Sequence, residues 1–394
     1  MKSTETACYE VVVSGSGIVG ATLALTLALA RFRVLVVDSR LPESLSDELT
    51  PDLRVSAMSC ASVALLRRIK AWQRIGDRFC SPYRRLETWE WPSSRVVFDS
   101  ASLNLPELGF IVENSRLQRA LWQGFATCDT LDFRCPDTLK SMIYEDGHWR
   151  LTLSDNTSII SQVLVGADGS ESWIRRQACI GVSGWQYRQS CLLLNVETLD
   201  PKKDVAWQAV HASGPRAFLP LYGRWASLVW YDKASRIRQL ETLSRPLLTK
   251  EVREAFPYRL GEFTLHNSAS FPLTRRHARE YVKPGLALIG DAAHTLNPLA
   301  GQGANLGLRD AQALAEVLID ARNHGEPWDT LPILQRYQQQ RRGHNFMMQA
   351  SIDTFYAVFS NDLPPIKIAR NLGLMLVQRT PKFKQWLLRY AMGI

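Results

Sequence analysis

Near its N-terminus the chain reads Val11-Val12-Val13-Ser14-Gly15-Ser16-Gly17-Ile18-Val19-Gly20, a short apolar run that leads into a glycine-rich turn. The Ala- and Leu-rich segment Ala21 to Ala30 predicts a helix, and Val34 to Val37 predicts a second buried strand that ends at Asp38. This order of strand, glycine turn, helix, strand and acid is typical of a dinucleotide-binding βαβ unit. The sequence therefore predicts an α/β fold with a Rossmann-like domain.

Each glycine of the turn has a separate physical task. Gly15 permits the tight turn, Gly17 lets a pyrophosphate approach the backbone, and Gly20 allows the helix to pack closely on the strand. The helix N-terminus adds a positive dipole that favours the same phosphates. Asp38 would accept hydrogen bonds from a ribose, although a solvated carboxylate at a strand end is the alternative.

Two later glycine-marked loops also follow apolar runs. Gly290-Asp291-Ala292-Ala293-His294 follows Leu286 to Ile289 and leads into a loop from Pro298 to Gly303. Gly166-Ala167-Asp168-Gly169 ends the run Val163 to Val165. Three strand ends of this kind indicate one large dinucleotide that lies across a folded-back domain.

The bulk composition narrows the class of protein. With 394 residues, 46% hydrophobic and 22% charged, the chain is globular and long enough for two domains. Its net charge of +9 favours anionic partners such as a phosphorylated cofactor or a membrane surface. No nucleic-acid-binding motif accompanies that charge, so a nucleic-acid partner is not expected. Seven cysteines without CxxC spacing predict reduced thiols and no metal site, and no secretory signal is apparent, which indicates a cytoplasmic protein.

The three loops together resemble, in order and spacing, the FAD-dependent aromatic hydroxylases of the para-hydroxybenzoate hydroxylase type. Three further stretches, Tyr83 to Trp91, Gly214 to Pro220 and Phe271 to His277, resemble the ubiquinone-biosynthesis branch of that family. The similarity covers nearly the whole chain. It implies FAD as cofactor, NAD(P)H as co-substrate, and a C4a-hydroperoxyflavin that transfers oxygen from O2 to the ring of a polyprenylated benzoquinol or phenol.

The resemblance also implies an organisation in three parts. Residues 1–80, 107–180 and 270–330 would form a discontinuous FAD-binding domain, and residues 81–106 and 181–269 a mixed or antiparallel β-sheet domain for the substrate. Residues 331–394 would form a helical C-terminal region. The apolar run Ala217 to Leu221 and nearby Trp230 could contact a hydrophobic ring and tail, with core packing as the alternative.

Carried over position by position, the resemblance assigns a set of cofactor contacts. Arg54 and Gln118 would approach the ribityl and phosphate region, but each also fits an ordinary solvated side chain. Four residues match positions beside the flavin, namely His294, Pro298, Gly301 and Gln302. His294 also fits a structural histidine. No catalytic acid or base is assigned. The implied cofactor-binding residues are Gly15, Gly17, Ile18, Val19, Gly20, Asp38, Arg54, Gln118, Asp168, Gly290, Asp291, Pro298, Gly301, Gln302, Gly303, Ala304 and Asn305.

The binding partners of the protein are predicted partly from the family resemblance and partly from the sequence near the C-terminus. Phe383, Trp386, Leu387 and Tyr390 share one predicted helical face flanked by basic residues, which fits either an interfacial membrane helix or packing against protein. The family implies assembly with other enzymes of ubiquinone biosynthesis or a lipid carrier, as a homo-oligomer or a complex member peripheral to the inner membrane. Three alternatives stay open, namely hydroxylation at another ring position, an FAD-linked reductase of the same fold, and a flavin-binding subunit that only scaffolds a biosynthetic assembly.

One position departs from the family pattern. Arg31 stands at the end of the first predicted helix, where related sequences commonly have the glycine that suits a left-handed C-cap. If the left-handed conformation is kept, Arg31 costs about 1 kcal/mol. A second, milder departure is Asp38 in place of the longer glutamate.

Overall fold

The computed structural model describes residues 7–41, 50–199, 204–297 and 301–392, without the side chains of residues 302, 390 and 391. Its described strands form two sheets. The strands are β1 (Ala7–Ser14), β2 (Val34–Val37), β3 (Val55–Ser59), β4 (Ser81–Trp89), β5 (Val96–Asp99), β6 (Gly109–Glu113), β7 (Leu131–Arg134), β8 (Leu139–Glu145), β9 (His148–Leu153), β10 (Ser158–Gly166), β11 (Val182–Thr198), β12 (Asp204–Ala209), β13 (Arg216–Pro220), β14 (Trp225–Lys233), β15 (Phe263–Ala278), β16 (Val282–Lys283), β17 (Leu286–Leu288) and β18 (His294–Thr295). The helices are α1 (Ile18–Leu29), α2 (Cys60–Arg68), α3 (Trp72–Ile75), α4 (Asn114–Phe125), α5 (Trp173–Gln177), α6 (Ala234–Glu241), α7 (Arg245–Ala255), α8 (Gln302–Asn323), α9 (Leu331–Phe359), α10 (Pro364–Arg379) and α11 (Pro381–Met392).

The first sheet contains the strands that precede all three glycine-marked loops. Its order is β16-β17-β10-β1-β2-β7, and β17, β10, β1, β2 and β7 run parallel. Ser14 is opposite both Val37 and Gly166, and Gly166 is opposite Leu288. The three loops therefore leave neighbouring strands at the same carboxyl edge, where doubly wound folds bind ligands. The predicted α/β fold with a Rossmann-like unit is confirmed.

The second sheet is larger and mostly antiparallel. Its order is β18-β15-β11-β14-β13-β12-β4-β6-β3, with β5 paired to β4. One face packs against α6 and α7 in a core that includes Trp207, Phe218 and Trp230. Alternate residues point to the opposite face. That second face packs in part against α9, and the rest of it can form a binding surface.

The predicted domain boundaries lie close to the strand pairing without coinciding with it. β3 falls in the predicted range 1–80 and β6 in the range 107–180, yet both pair within the second sheet. The division into domains stays a prediction. The C-terminal region is helical from α9 to α11, as expected, with a break between Phe359 and Pro364.

Arg31 does adopt the left-handed conformation that usually favours glycine. Its φ is 65°, its N–H donates to the Ala28 carbonyl at 2.9 Å, and the Phe32 N–H donates to the Leu27 carbonyl at 3.0 Å. These bonds close α1 in the manner of a C-cap whose left-handed residue is normally glycine. The strain expected from the sequence is therefore present.

Replacing Arg31 with glycine is expected to raise the free energy of unfolding by up to about 1 kcal/mol, because the left-handed penalty disappears. Equilibrium unfolding in urea would measure the change. Ala30→Gly is the matched control, since Ala30 has a right-handed φ of −85° and should lose stability. A gain at Ala30 equal to that at Arg31 would contradict this explanation.

Candidate functional site

In the first glycine loop, Gly15 and Gly20 leave no space for a side chain, whereas Gly17 does. A Cβ added to Gly15 would lie 2.4 Å from the Ala167 carbonyl oxygen, and one added to Gly20 would lie 2.0 Å from that of Gly15. A Cβ added to Gly17 would meet no atom of the described residues within 4 Å. Backbone at Gly17 is thus exposed at the N-terminus of α1, which is the arrangement that a pyrophosphate needs.

Asp38 and Gln118 both approach this loop through Ser16. The Ser16 N–H and hydroxyl each donate to Asp38 Oδ2 at 2.6 Å, and the Arg40 N–H donates to Asp38 Oδ1 at 3.0 Å. The Gln118 amide and the Trp122 indole donate to the Ser16 carbonyl at 3.1 and 2.8 Å. Both side chains therefore hold the glycine loop in shape through hydrogen bonds to Ser16.

The Asp168 carboxylate caps the N-terminus of α5 with one oxygen, and its other oxygen has no partner among the described residues. Its Oδ2 accepts from the backbone N–H groups of Trp173 and Ile174 at 2.7 and 3.0 Å, at the start of α5. Its Oδ1 is buried and has no hydrogen-bond partner among the described residues. A buried acceptor of this kind is normally satisfied by a ligand or water.

Asp291 begins the second loop and faces the cleft between the sheets. Its side chain is exposed to the cleft, yet the surrounding protein raises the pKa of its carboxyl by desolvation, while His294 and Arg54 lower that pKa. Arg54 is also exposed on the same cleft. The two side chains place one negative and one positive charge at the same end of the cleft.

Arg175 connects the second and third loops. It is 5% exposed, and its guanidinium donates to the Ala292 carbonyl at 2.8 Å and to the Ser170 carbonyl at 2.9 Å. Arg276 donates to the same Ser170 carbonyl at 2.7 Å. Burial lowers the pKa of Arg175, and so does neighbouring Arg276. Arg175 therefore bridges two loops that lie far apart in the sequence.

His294 belongs to a buried polar network behind the second loop. Its Nε2 contacts the Asp310 carboxylate, which also accepts from the Gly290 N–H at 3.2 Å, Arg341 Nε at 2.8 Å and Asn345 Nδ2 at 3.0 Å. Burial alone would raise the pKa of Asp310, but His294 and the other cationic and amide partners lower it to about 2. His294 is not among the residues that line the cleft, so its place in the structure is that of a support for the loop.

Sequence reasoning missed Asp310 and Arg341 in this network. The available signal was weak, because Asp310 directly follows Arg309 and so looks like an ordinary charged position of α8. A buried acid is seldom without a partner. The partner, on α9, could not be identified without the fold.

A cavity of about 850 Å³ extends from Asp291 of the second loop and from Gly301 to the second face of the larger sheet. One end carries polar groups and backbone from the cofactor loops, and the other end is largely apolar. Residues of the cofactor end include Arg54, Asn114, Asp291, Gly301, Gly303, Ala304 and Asn305. Residues of the sheet end include Leu86, Thr88, Leu193, Ala206, Gln208, Ala217, Leu219, Val229 and Tyr231.

Helices of the C-terminal region close parts of this cavity. Ile352 and Phe355 of α9 line it together with Leu388 and Met392 of α11. Within the run Ala217 to Leu221, Ala217 and Leu219 face the cavity, whereas Phe218 packs in the core beside Trp230. The suggested substrate contacts are thus divided by the alternation of the strand, and core packing is what the structure shows for Phe218 and Trp230.

The remaining predicted cofactor contacts lie around the N-terminus of α8. Asn305 donates to the Ala57 carbonyl at 2.8 Å and accepts from the Ser59 N–H at 2.9 Å, which fixes α8 to β3. Val19 packs against the second loop, because a Cβ added to Gly290 would lie 3.2 Å from it. Pro298 and the side chain of Gln302 lie outside the described residues.

The residues present fit an FAD molecule. Gly17 at the start of α1 offers an open position for the pyrophosphate, and Asp168 offers an unpaired buried acceptor. Asp291 and Gly301 line the cavity. An FAD-binding oxidoreductase of the Rossmann type is the class of protein that this arrangement defines. A family model described as an FAD binding domain matches residues 8–350, so the fold and the sequence agree.

Comparison with known proteins narrows the class to a family. The chain is 48% identical over 385 residues to the 3-demethoxyubiquinol 3-hydroxylase of Escherichia coli (strain K12), covering 98% of each chain. It is 30% identical to the Homo sapiens mitochondrial ubiquinone biosynthesis monooxygenase COQ6, covering 99% of this chain and 93% of that protein. This chain belongs to the family of FAD-dependent monooxygenases of ubiquinone biosynthesis, and the resemblance seen in the sequence is confirmed.

The fold also matches solved structures of distant sequence. The crystal structure of p-nitrophenol 4-monooxygenase PnpA from Pseudomonas putida DLL-E4 superposes with a TM-score of 0.80 at 19% identity, covering 97% of each chain. PqsL from Pseudomonas aeruginosa, a probable FAD-dependent monooxygenase, gives a TM-score of 0.77 at 21% identity, covering 93% of this chain and 99% of that one. At such identity the match supports the fold alone.

Proposed function

We propose that the protein hydroxylates the ring of a polyprenylated benzoquinol intermediate, with NAD(P)H and O2 as co-substrates. The main supporting observation is one cavity that is lined both by Asp291 and Gly301 of the predicted cofactor loops and by apolar side chains of the second sheet. The relative named a 3-demethoxyubiquinol 3-hydroxylase supports this substrate class. The particular substrate proposed is 2-octaprenyl-3-methyl-6-methoxy-1,4-benzoquinol, which the resemblance in sequence favours.

The three loops would hold FAD along its length. Gly15, Gly17 and Asp38 would bind the ADP half, and Arg54 with Asp291 the middle of the molecule. The loop that includes Pro298, Gly301 and Gln302 would lie beside the flavin ring, where its N–H groups can stabilise negative charge. Asp168 and Arg175 would keep the third loop in register with the second.

Bound FAD supplies the electron transfer and oxygen activation that no protein side chain provides. The contribution of the chain is to position the ring and to exclude water. A hydrocarbon surface lines the cavity, formed by Leu193, Ala217, Leu219 and Val229. A site without water protects activated oxygen from unproductive decay. No acid or base is proposed, because a ring that already bears hydroxyl groups is electron-rich.

The proposal is tested by turnover of the purified, FAD-loaded protein. With a short-chain methoxy-methyl-benzoquinol, NAD(P)H oxidation and O2 uptake should rise together, and mass spectrometry should find a product heavier by one oxygen atom. Quinol-independent oxidation with no hydroxylated product would refute it. Reduction of a prenyl double bond without O2 uptake would favour a reductase instead.

The C-terminal helices offer a surface for contact with a membrane. Along α10 and α11 a set of apolar side chains is exposed, here called the apolar surface, and residues 363–392 include six Lys or Arg and no Asp or Glu. Exposed apolar groups beside basic ones are typical of helices that bind anionic lipid. None of the described helices is both long and apolar enough to span a bilayer. The apolar surface consists of Leu363, Ile368, Leu372, Leu376, Phe383 and Trp386.

This surface adjoins the cavity, since α11 also contributes Leu388 and Met392 to the cavity lining. We therefore include in the proposal that the protein docks peripherally on an anionic membrane, which holds its polyprenylated substrate. Association with other enzymes of the pathway, or with a second copy of the chain, is part of the same proposal and rests on the family alone.

The double variant Leu372→Ser/Leu376→Ser is expected to weaken binding to liposomes that contain anionic lipid by about tenfold or more, because two exposed leucines that would insert into the lipid are lost. Co-sedimentation would measure it. Point variants are preferable to removal of α11, since losing Leu388 would open the cavity. Leu247→Ser, an exposed leucine on α7, is the control and should bind normally. If the double variant and Leu247→Ser lose liposome binding equally, or if both bind as wild type does, the apolar surface is not the contact with the membrane.

A further inference from the structure

Two polar side chains lie next to each other on the cavity face of the second sheet. Thr88 on β4 is directly opposite Gln208 on β12, and both line the cavity. The next positions along the same row are Ala217 on β13 and Val229 on β14, followed by Leu193 on β11. An amide and a hydroxyl therefore stand at one end of an otherwise apolar row.

Neither side chain forms a hydrogen bond with another described residue, although both are partly buried. Two other polar side chains of the cavity lining are engaged by protein partners: Tyr231 is hydrogen-bonded to Cys191, and Arg276 donates to the Ser170 carbonyl. A polar group in apolar surroundings costs free energy unless a ligand or water satisfies it. Thr88 and Gln208 are thus available to a ligand.

We infer that Gln208 and Thr88 bind an oxygen on the aromatic ring of the substrate and so fix which ring carbon faces the flavin. This inference rests on the proposed function. The glutamine amide can both donate and accept, as a quinol hydroxyl can. A polyprenyl tail has no polar atom to offer, and the neighbouring Ala217 and Val229 suit hydrocarbon. Gln208 is therefore a specificity-determining residue for the ring.

The test compares FAD-loaded wild type with Gln208→Met, which keeps the length of the side chain and removes its polar atoms. The probe is a benzoquinol that carries a methoxy group, a methyl group and one prenyl unit, titrated by the change in flavin absorbance. The dissociation constant should rise about tenfold, as expected for one lost hydrogen bond. The fraction of consumed NAD(P)H that yields hydroxylated product should fall, because the ring is less well oriented.

A second probe separates hydrogen bonding from shape. A prenylated benzene without ring oxygens should bind wild type and Gln208→Met equally. Gln239→Met, at an exposed position on α6, is the matched control and should behave as wild type. Thr88→Val, which removes only a hydroxyl, provides an independent variant if Gln208→Met does not fold.

The outcomes distinguish the two proposals. If wild type hydroxylates the benzoquinol and both cavity variants bind it and couple turnover as wild type does, the inference about Gln208 and Thr88 is overturned. Weaker binding of both probes would overturn it as well, because that result indicates altered packing. If wild type hydroxylates no benzoquinol, the proposed function fails regardless of these residues.

Discussion

Replacing Gly17 with alanine is expected to abolish FAD binding while the apoprotein keeps its fold. Gly17 has φ −59° and ψ 174°, which alanine adopts without strain. The added Cβ would touch none of the described residues, so the polypeptide itself accommodates it. It would instead occupy the space through which a pyrophosphate reaches the backbone. We expect at least about a hundredfold weaker binding, or about 2.7 kcal/mol, measured by flavin fluorescence titration.

Two other glycines serve as controls for this experiment. Gly343→Ala on α9 also adds a Cβ that meets no described atom, but far along the chain from the loops, and it should bind FAD normally. Gly20→Ala should destabilise the fold, because its Cβ would lie 2.0 Å from the Gly15 carbonyl oxygen. Normal FAD affinity in Gly17→Ala would contradict the assigned position of the pyrophosphate.

Replacing Asp310 with asparagine is expected to destabilise the protein by about 3–5 kcal/mol, the usual cost of leaving a buried charge without its partner. Asp310 is fully buried, forms an ion pair with Arg341 and contacts His294. Urea unfolding would measure the loss. Asp320→Asn, at an exposed position of the same helix, should change stability little. A comparable loss at Asp320, or none at Asp310, would show that the network does not carry this energy.

The same carboxylate predicts how stability depends on acid pH. The pKa of Asp310 is lowered from its ordinary 3.8 to about 2 in the folded protein. Its ionic contribution is therefore complete above pH 3.8 and is lost as the pH falls towards about 2. In Asp310→Asn this part of the acid dependence should be missing. An unchanged acid transition would assign the dependence to other groups.

The sequence could predict the parts of the fold that local chemistry specifies. The glycine turn from Gly15 to Gly20 has one backbone solution that suits a strand followed by a helix, and the three loops proved to leave adjacent parallel strands. Arg31 was also predictable, because a helix C-cap has a narrow conformational requirement. In each case a few consecutive residues carry the whole signal.

The features that could not be predicted depend on contacts between distant residues. Arg175 reaches the Ala292 carbonyl, 117 residues away in sequence, and Asp310 meets Arg341 from another helix. Gln208 is ordinary in the sequence and becomes notable only because β12 pairs with β4. Such long-range pairs follow from strand order and helix packing, which no short pattern encodes.

The most direct test of the central claim is a single absorbance experiment on the purified protein. After incubation with excess FAD and gel filtration, the protein should retain one flavin per chain, and addition of the short-chain benzoquinol should shift the flavin spectrum in a saturable way. That result would place the cofactor and the ring in one cavity. A colourless protein, or a bound flavin whose spectrum does not change when the quinol is added, would contradict the central claim.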